Sequence, residues 1–211
     1  MPLLTELQYL GSVDYFALML AHQQVIFEQH ENYTKRTYRN RCHILGTNGV
    51  LKLSISLQKG KNQQQSIRQT KIAYTNPWHS QHWRSITSAY GNAPFFEFYK
   101  DDLKAIFESK TENLFDFNLK LTELIIELLQ LEIEISFSET YQKMPSDNIT
   151  DGRNLFLPTK PKVIENIQSV AYPQVFEEKH GFVSQLSILD LMFCQGPSSY
   201  QVLEEMIVTE L

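Results

Sequence analysis

The chain has 211 residues, of which 42% are apolar and 20% charged, and its formal net charge is −5. This composition is typical of a globular protein with a sizeable core and excludes a disordered or fibrous chain. The negative charge disfavours general nucleic-acid binding, and no apolar run approaches the roughly 20 residues that a membrane-spanning helix needs.

The targeting and cysteine patterns indicate the cytoplasm. The N-terminal residues lack the basic and apolar regions of a signal peptide. Cys42 and Cys194 are too few and too far apart for a disulfide framework. We therefore expect a cytoplasmic protein with two reduced thiols.

The first part of the chain is predicted to contain a buried helix and several short strands. Apolar residues recur within 14–22, which predicts a helix with Ser12 as its N-cap. Residues 24–28 are β-branched and aromatic and predict a strand. Alternation over 50–57 predicts a half-buried strand, and 67–74 is expected to be another.

Helices are predicted to dominate the middle of the chain. Asn76, Pro77 and Gly91 give the start and stop signals of one helix. Residues 113–131 carry the apolar face of the longest helix, and the alternation over 132–137 predicts a strand.

The C-terminal part completes the expected architecture. Residues 141–162 are predicted to be mostly loop, whereas Ser187 and Ser198 are expected to begin two short helices, the first closed by Gly196. Because short strands alternate with helices, we expect an α/β fold, with α+β as the alternative. The prediction is one globular domain over residues 1–211, with a mixed sheet packed against helices; strand order does not follow from the sequence.

The stretch 33–44 concentrates positive charge within an acidic protein. Its basic and interleaved polar residues are Tyr33, Lys35, Arg36, Tyr38, Arg39, Asn40, Arg41 and His43. If residues 37–45 are helical, Lys35, Arg39 and His43 share one face. Arginine forks bind carboxylate and phosphate oxygens in pairs, so the stretch predicts a site for a phosphate, a pyrophosphate or an acidic sugar. The alternative is a solvated basic surface that pairs with Glu28, Glu31 and other acidic residues.

Three histidines are candidates for chemistry. His79 and His82 lie three residues apart on a predicted helix, but no third ligand follows at metal spacing, so no metal site is expected. His82 is the candidate general base, because imidazole titrates near neutrality. His180, in a loop before Gly181, is the second candidate, and an exposed charged turn is the alternative there. The phosphate-binding, dinucleotide-binding and nucleophile-elbow motifs are absent from the sequence.

Several motifs recur in a characteristic order along the chain. They include Gln8-Tyr9, Asp14-Tyr15-Phe16, Tyr38-Arg39-Asn40-Arg41-Cys42, His82-Trp83-Arg84-Ser85-Ile86, Ala93-Pro94, Tyr172-Pro173-Gln174 and Gly181-Phe182. In this order and spacing the chain resembles the WbqC-like family over nearly its whole length, most weakly over 103–162. The family takes its name from a gene context of O-antigen and surface-polysaccharide synthesis. The resemblance therefore implies an enzyme that handles an activated sugar or a small group attached to one.

We therefore expect a transferase that acts on a small anionic ligand, either a sugar phosphate or a nucleotide-activated sugar. The residues expected to bind it are Tyr33, Lys35, Tyr38, Arg39, Asn40, Arg41 and Arg84. His82 would act as general base, with His180 as the alternative. No cofactor is indicated by the sequence, and the oligomeric state is open.

Two other functions are compatible with the same residues. A non-catalytic binding or scaffolding protein would present the basic and aromatic surface of 33–44 to a partner, since arginine and tyrosine are enriched at interfaces. Nucleic-acid binding would require residues 35–41 and 59–61 to form one continuous basic stripe.

Overall fold

Short strands alternate with helices along the chain. A computed structural model describes residues 1–58, 65–158, 164 and 166–208. The strands are β1 (Leu3–Thr5), β2 (Gln24–Phe27), β3 (Arg41–Gly46), β4 (Gly49–Ser54), β5 (Glu134–Phe137) and β6 (Thr150–Asp151). The helices are α1 (Val13–His22), α2 (Trp78–Tyr90), α3 (Phe96–Glu108), α4 (Leu114–Leu128), α5 (Glu177–His180), α6 (Ile188–Gln195) and α7 (Ser199–Glu205). The expected α/β class is confirmed.

Four of the strands form a parallel sheet in the order β5-β2-β1-β6. β1 pairs with β2 in the register Leu3 to Val25, and β2 pairs with β5 in the register Val25 to Ile135. On its other side β1 pairs with the two-residue strand β6. The chain leaves β1 towards β2 and later returns to the opposite side of β1, so the order of the strands reverses between β1 and β6.

The antiparallel pairing is confined to a separate hairpin. β3 and β4 pair along their whole length, from Arg41 opposite Ser54 to Gly46 opposite Gly49. Gly49 has φ of +104°, which a residue with a side chain rarely adopts, so glycine suits this turn. The predicted strand over 50–57 is therefore confirmed for most of its length, as one arm of this hairpin.

Helix α1 connects the two central strands and is almost entirely buried. The Ser12 hydroxyl accepts a hydrogen bond from the backbone N–H of Tyr15 at 3.2 Å, which confirms the predicted N-cap. Helices α6 and α7 pack against α1, which also contacts β2. Because it is covered on several sides, α1 has apolar residues around its whole circumference.

The core extends from Leu3 to Met206 and is rich in aromatic rings. The predicted long helix is confirmed as α4, which buries Phe117 completely. The Phe117 ring lies 5.6 Å from the ring of Trp78, 5.9 Å from Phe107 and 6.1 Å from Tyr9, measured between centroids. This aromatic group joins α2, α3 and α4 to the segment that follows β1.

The strand predicted over 67–74 is wrong. Residues Ile67–Gln69 form a single 3₁₀ turn, and the Thr70 hydroxyl donates to the carbonyl oxygen of Ser66 at 3.0 Å. The backbone then makes only isolated bridges, between Ile72 and Leu57 and between Lys71 and Asn113. Alternation over so few residues does not distinguish a strand from an extended connection.

Two of the predicted helix starts are modified by the structure. The helix expected from Asn76 begins at Trp78, with Pro77 as its N-cap. Ser187 caps α6 as predicted, because its hydroxyl accepts from the N–H of Leu189 at 3.3 Å. Ser198 precedes α7, but its side chain makes no capping hydrogen bond.

Within the described residues, no helix is long and apolar enough to cross a membrane.

Candidate functional site

Charged and polar residues follow all four parallel strands at the edge where the strands end. Glu6 follows β1, Glu28 follows β2, Ser138 follows β5, and Arg153 lies two residues after β6. In open parallel sheets, ligands bind outside the carboxyl ends of the strands, at the point where the strand order reverses. This point lies between β1 and β6, so the carboxyl edge of the sheet is the candidate site.

Arg39 is the centre of this edge, and it is completely buried. Its Nε and Nη2 each donate a hydrogen bond of 2.6 Å to the Glu31 carboxylate, in a bidentate pair. Its Nη1 donates to Oδ1 of Asn154 at 3.2 Å, and Nη2 lies 3.8 Å from Oε2 of Glu6. Burial alone would lower the pKa of Arg39, but the hydrogen bonds to Glu31 raise it, so Arg39 remains charged.

Glu6 is a second fully buried charged residue at this edge. The backbone N–H of Asn154 donates to its Oε2 at 2.7 Å, and the side-chain amide of Gln8 donates to its Oε1 at 3.1 Å. Burial raises the pKa of Glu6, although the charge of Arg39 opposes this shift. Glu6 therefore holds a proton more readily than a carboxyl group in water.

A neighbouring ion pair extends the charged network. Arg153 Nη1 lies 3.3 Å from Oε2 of Glu28, and the hydroxyl of Ser138 donates to Oε1 of Glu28 at 2.7 Å. Arg153 also pairs with Asp151 at 2.8 Å. We call Glu6, Glu28, Glu31, Arg39 and Arg153 the edge cluster.

The conformation and side-chain direction of Arg39 differ from the prediction. The helical geometry proposed for 37–45 is wrong, because Tyr38–Asn40 form a 3₁₀ turn and β3 begins at Arg41. The guanidinium of Arg39 therefore does not share an exposed face with Lys35 and His43. It points into the protein towards Glu31, so Arg39 positions the site and does not face an external anion.

Arg41 remains as a cation that could bind a ligand. It is half-buried at the start of β3, and within the described residues its side chain makes no hydrogen bond or ion pair. Tyr33 is also half-buried, and burial raises its pKa, whereas the charges of Arg41 and Arg39 oppose this rise. Arg41 therefore follows the buried Arg39 by two residues, and no carboxylate of the described residues lies within ion-pair distance of its side chain.

The other predicted ligands of the basic stretch have different environments. Lys35 is exposed, whereas Tyr38 is buried and its hydroxyl lies 3.3 Å from Nδ1 of His43. The Asn40 side chain donates to the carbonyl oxygen of Ile55 at 3.0 Å, so it attaches the 3₁₀ turn to the chain after β4. Oδ1 of Asn40 is buried without a hydrogen-bond partner among the described residues.

His82 is buried among aromatic rings. Its Nδ1 lies 2.8 Å from the Tyr9 hydroxyl, and its ring meets that of Trp78 edge-on at 5.1 Å between centroids. Burial lowers the pKa of His82 to about 4, so the imidazole is neutral at pH 7.

The described residues contain no group of three or more histidine, cysteine, aspartate or glutamate side chains that could hold a metal.

We expect His82 to reduce stability as the pH falls from about 6.5 to about 4. The unfolded chain binds a proton near the ordinary imidazole pKa of about 6.5, whereas the folded protein does so near 4. The free energy of unfolding should therefore fall by roughly 3 kcal/mol over this interval.

Urea unfolding at pH 7.5 and pH 4 measures this loss. His82→Gln should lose much less stability on acidification than the wild type, and the exposed control His30→Gln should behave like the wild type. An equal acid-dependent loss in His82→Gln and the wild type would contradict the assigned pKa.

Arg84 and His180 lie at the far end of the β3–β4 hairpin. His180 Nε2 lies 3.0 Å from the carbonyl oxygen of Thr47, and Arg84 lines a shallow cleft of about 430 Å³ with the hairpin turn. The six residues of β3 separate this turn from Arg41 by about 17 Å along the strand. Arg84 and His180 thus each lie near the hairpin turn and not beside the edge cluster.

The comparisons with known proteins agree with the sequence resemblance. The model of the WbqC-like protein family matches residues 8–156. The chain belongs to the WbqC-like protein family. It is also 29% identical to the uncharacterized protein Rv1507c of Mycobacterium tuberculosis, over 92% of this chain and 93% of that protein. No solved structure matches the chain.

The matched segment of this WbqC-like protein contains most of the candidate site. It includes Glu31, Arg39, Arg41 and Asn154, whereas His180 lies beyond it. The basic stripe proposed for nucleic-acid binding is not tested, because residues 59–64 lie outside the described residues.

Sequence reasoning missed Glu6 in the WbqC-like protein, and it named Glu28 and Glu31 only as partners of a solvated basic surface. Glu6 and Glu28 each follow a short apolar run that becomes a strand. This signal becomes informative only when the strands are known to be parallel, because only then do their ends share one edge.

Proposed function

We propose that this WbqC-like protein is a cytosolic transferase that acts on a phosphate-bearing or nucleotide-activated sugar in the synthesis of a surface polysaccharide. The gene context that gives the family its name supports the substrate class. The observation that carries the proposal is Arg41, a half-buried cation two residues after Arg39 of the edge cluster, with a buried Nε that has no hydrogen-bond partner in the described residues.

A bound anion would supply the missing counter-charge. Partial burial of a charge costs free energy unless a partner compensates for it, and a guanidinium matches the oxygens of a phosphate geometrically. The charge of Arg41 acts on Tyr33, which offers a hydroxyl or a ring face to the ligand. Lys35 is exposed nearby in sequence and adds long-range attraction for an anion.

Arg39 and His82 have positioning roles in this proposal. Arg39 is held by Glu31 in two hydrogen bonds, and its carbonyl oxygen accepts from the side-chain amide of Asn118 at 2.7 Å. These contacts fix the turn from which Arg41 emerges. His82 supports Tyr9 from the core, and its low pKa of about 4 makes it a weak base at neutral pH.

Removal of the Arg41 charge should abolish anion binding. We expect inorganic phosphate and UDP-glucose to raise the thermal unfolding midpoint of the wild type, because a ligand that binds only the folded state stabilises it. Arg41→Gln should lose this shift while it keeps the unfolding midpoint of the free protein.

The matched control is Arg68→Gln, which removes an exposed arginine that pairs with Asp116 at 3.0 Å. This variant should retain the ligand-induced shift. Sodium chloride at equal ionic strength separates specific binding from screening. The proposal fails if no anion stabilises the wild type, or if Arg41→Gln responds like the wild type.

The scaffolding alternative has less surface available to it. An interface across 33–44 would need its aromatic and basic side chains to be exposed, but Tyr38 and Arg39 are buried. The residues of that stretch that are exposed are too few to form, by themselves, the large surface that a stable interface buries.

A further inference from the structure

Tyr38 is surrounded by polar groups from two separate elements. Its hydroxyl lies 3.3 Å from Nδ1 of His43, and the two rings meet edge-on at 5.3 Å between centroids. Arg41 and His43 are two residues apart on β3, so their side chains leave the same face of the strand. Both therefore accompany Tyr38 on one side of the hairpin.

The first turn of α1 supplies the acidic member of this group, Asp14. The segment Leu186–Ile188 holds α1 against β3: the Val13 N–H donates to the carbonyl oxygen of Leu186 at 2.9 Å, and the Ser187 N–H donates to that of His43 at 2.7 Å. The charge of Asp14 contributes to the raised pKa of Tyr38, which is due first to burial. These backbone contacts and this charge effect place Asp14 on the side of α1 that faces Tyr38, without a direct hydrogen bond between the two side chains. We call Asp14, Tyr38, Arg41 and His43 the Tyr38 cluster.

Three atoms of this cluster are buried without a hydrogen-bond partner among the described residues. They are Oδ2 of Asp14, Nε of Arg41 and Nε2 of His43. Buried polar atoms in folded proteins are nearly always paired, so three such atoms on residues around Tyr38 indicate that something polar completes the cluster. The set contains a carboxylate acceptor, a guanidinium donor and an imidazole nitrogen.

The protonation states of the cluster favour an uncharged partner. Burial raises the pKa of Tyr38 to about 12, so its hydroxyl stays neutral. Burial, together with the charges of Lys52 and Arg41, lowers the pKa of His43, so its imidazole is neutral as well. Asp14 and Arg41 provide one negative and one positive charge. Hydroxyl groups, which both donate and accept hydrogen bonds, suit such a mixture.

We propose that the Tyr38 cluster is a subsite that binds sugar hydroxyls, next to a phosphate held by the outer guanidinium nitrogens of Arg41. The inference rests on the proposed function and deepens it, because it assigns the sugar and the phosphate to different atoms. Asp14 accepts from one hydroxyl, whereas Nε of Arg41 donates to another. His43 and Tyr38 bind the remaining hydroxyl through Nε2 and the phenol oxygen.

The competing explanation is that ordered water alone completes the cluster. Water satisfies buried polar atoms in many proteins, and it would do so here whether or not a sugar binds. The two explanations differ in selectivity: only a subsite makes a sugar phosphate bind more tightly than inorganic phosphate.

Isothermal titration calorimetry on the full chain separates these cases. The probes are inorganic phosphate and the 1-phosphates of glucose, galactose and mannose. At least one sugar phosphate should bind at least tenfold more tightly than inorganic phosphate. Asp14→Asn and His43→Gln should each reduce this preference at least fivefold and leave the affinity for inorganic phosphate within twofold of the wild type. His30→Gln, an exposed histidine, should change neither affinity.

Thermal unfolding of the ligand-free variants provides an independent readout. Asp14→Asn removes a buried charge without a partner, so its midpoint should equal or exceed that of the wild type. A lowered midpoint would assign Asp14 a structural role and overturn the proposal.

The calorimetric outcomes distinguish the two proposals. Equal affinity for inorganic phosphate and all three sugar phosphates, with Arg41→Gln still unable to bind, overturns the hydroxyl subsite but keeps the anion site. Absence of binding by every phosphate compound overturns the subsite and the proposed function together.

Discussion

Replacement of Glu31 by glutamine should lower the free energy of unfolding by about 3–5 kcal/mol. The reason is that Arg39 is fully buried and would keep its charge after losing its bidentate partner. The nearest remaining carboxylate belongs to Glu6, at 3.8 Å, and burial has raised its pKa. Urea unfolding at pH 7 measures the loss.

The matched control is Glu112→Gln, which breaks an exposed ion pair with Lys71. It should cost less than about 1 kcal/mol, as exposed pairs usually do. The double variant Glu31→Leu with Arg39→Met should recover much of the loss, because an apolar pair leaves no charge buried. A Glu31→Gln protein as stable as the wild type would show that Arg39 is not confined to the interior.

Replacement of Phe117 by alanine should lower the free energy of unfolding by a similar amount, about 3–5 kcal/mol. The ring is completely buried, and rings from three other parts of the chain surround it, so the cavity cannot close easily. Urea unfolding measures the effect, and a fluorescence change at Trp78 would report the loosened packing.

Phe98 provides the control for this substitution, since it is a phenylalanine that is 75% exposed on α3. Phe98→Ala should change the free energy of unfolding by no more than about 0.5 kcal/mol. Equal effects of the two substitutions would contradict the central position of Phe117.

Local patterns predicted the elements whose periodicity is sustained. α1 and α4 follow from apolar spacing, and β2 follows from its β-branched and aromatic residues. Ser12 and Ser187 act as the caps that their positions indicate. The parallel strand order could not be predicted, because it depends on pairing between segments that are far apart in sequence. β6 was missed since two residues carry no periodicity.

In the candidate site too, the local sequence predicted some features and missed those that depend on contacts between distant segments. Composition marked 33–44 as unusual, and Arg41 remains a candidate ligand in the fold. It could not reveal that Arg39 is buried, because arginine is usually exposed and its partner Glu31 looked like one more surface acid. The distance between Arg41 and His180 depends on the direction of β3, which only the structure supplies.

The long connection within the sheet has a consequence for the kinetics of folding. The Ser136 hydroxyl on β5 donates to the carbonyl oxygen of Val25 on β2, 111 positions away in sequence. β1, α1 and β2 can associate early because they are adjacent, but β5 must close a loop of this length before it pairs. This pairing gives the fold a high contact order, so refolding should be slow. Until β5 pairs, the open edge of β2 should be vulnerable to pairing with other chains.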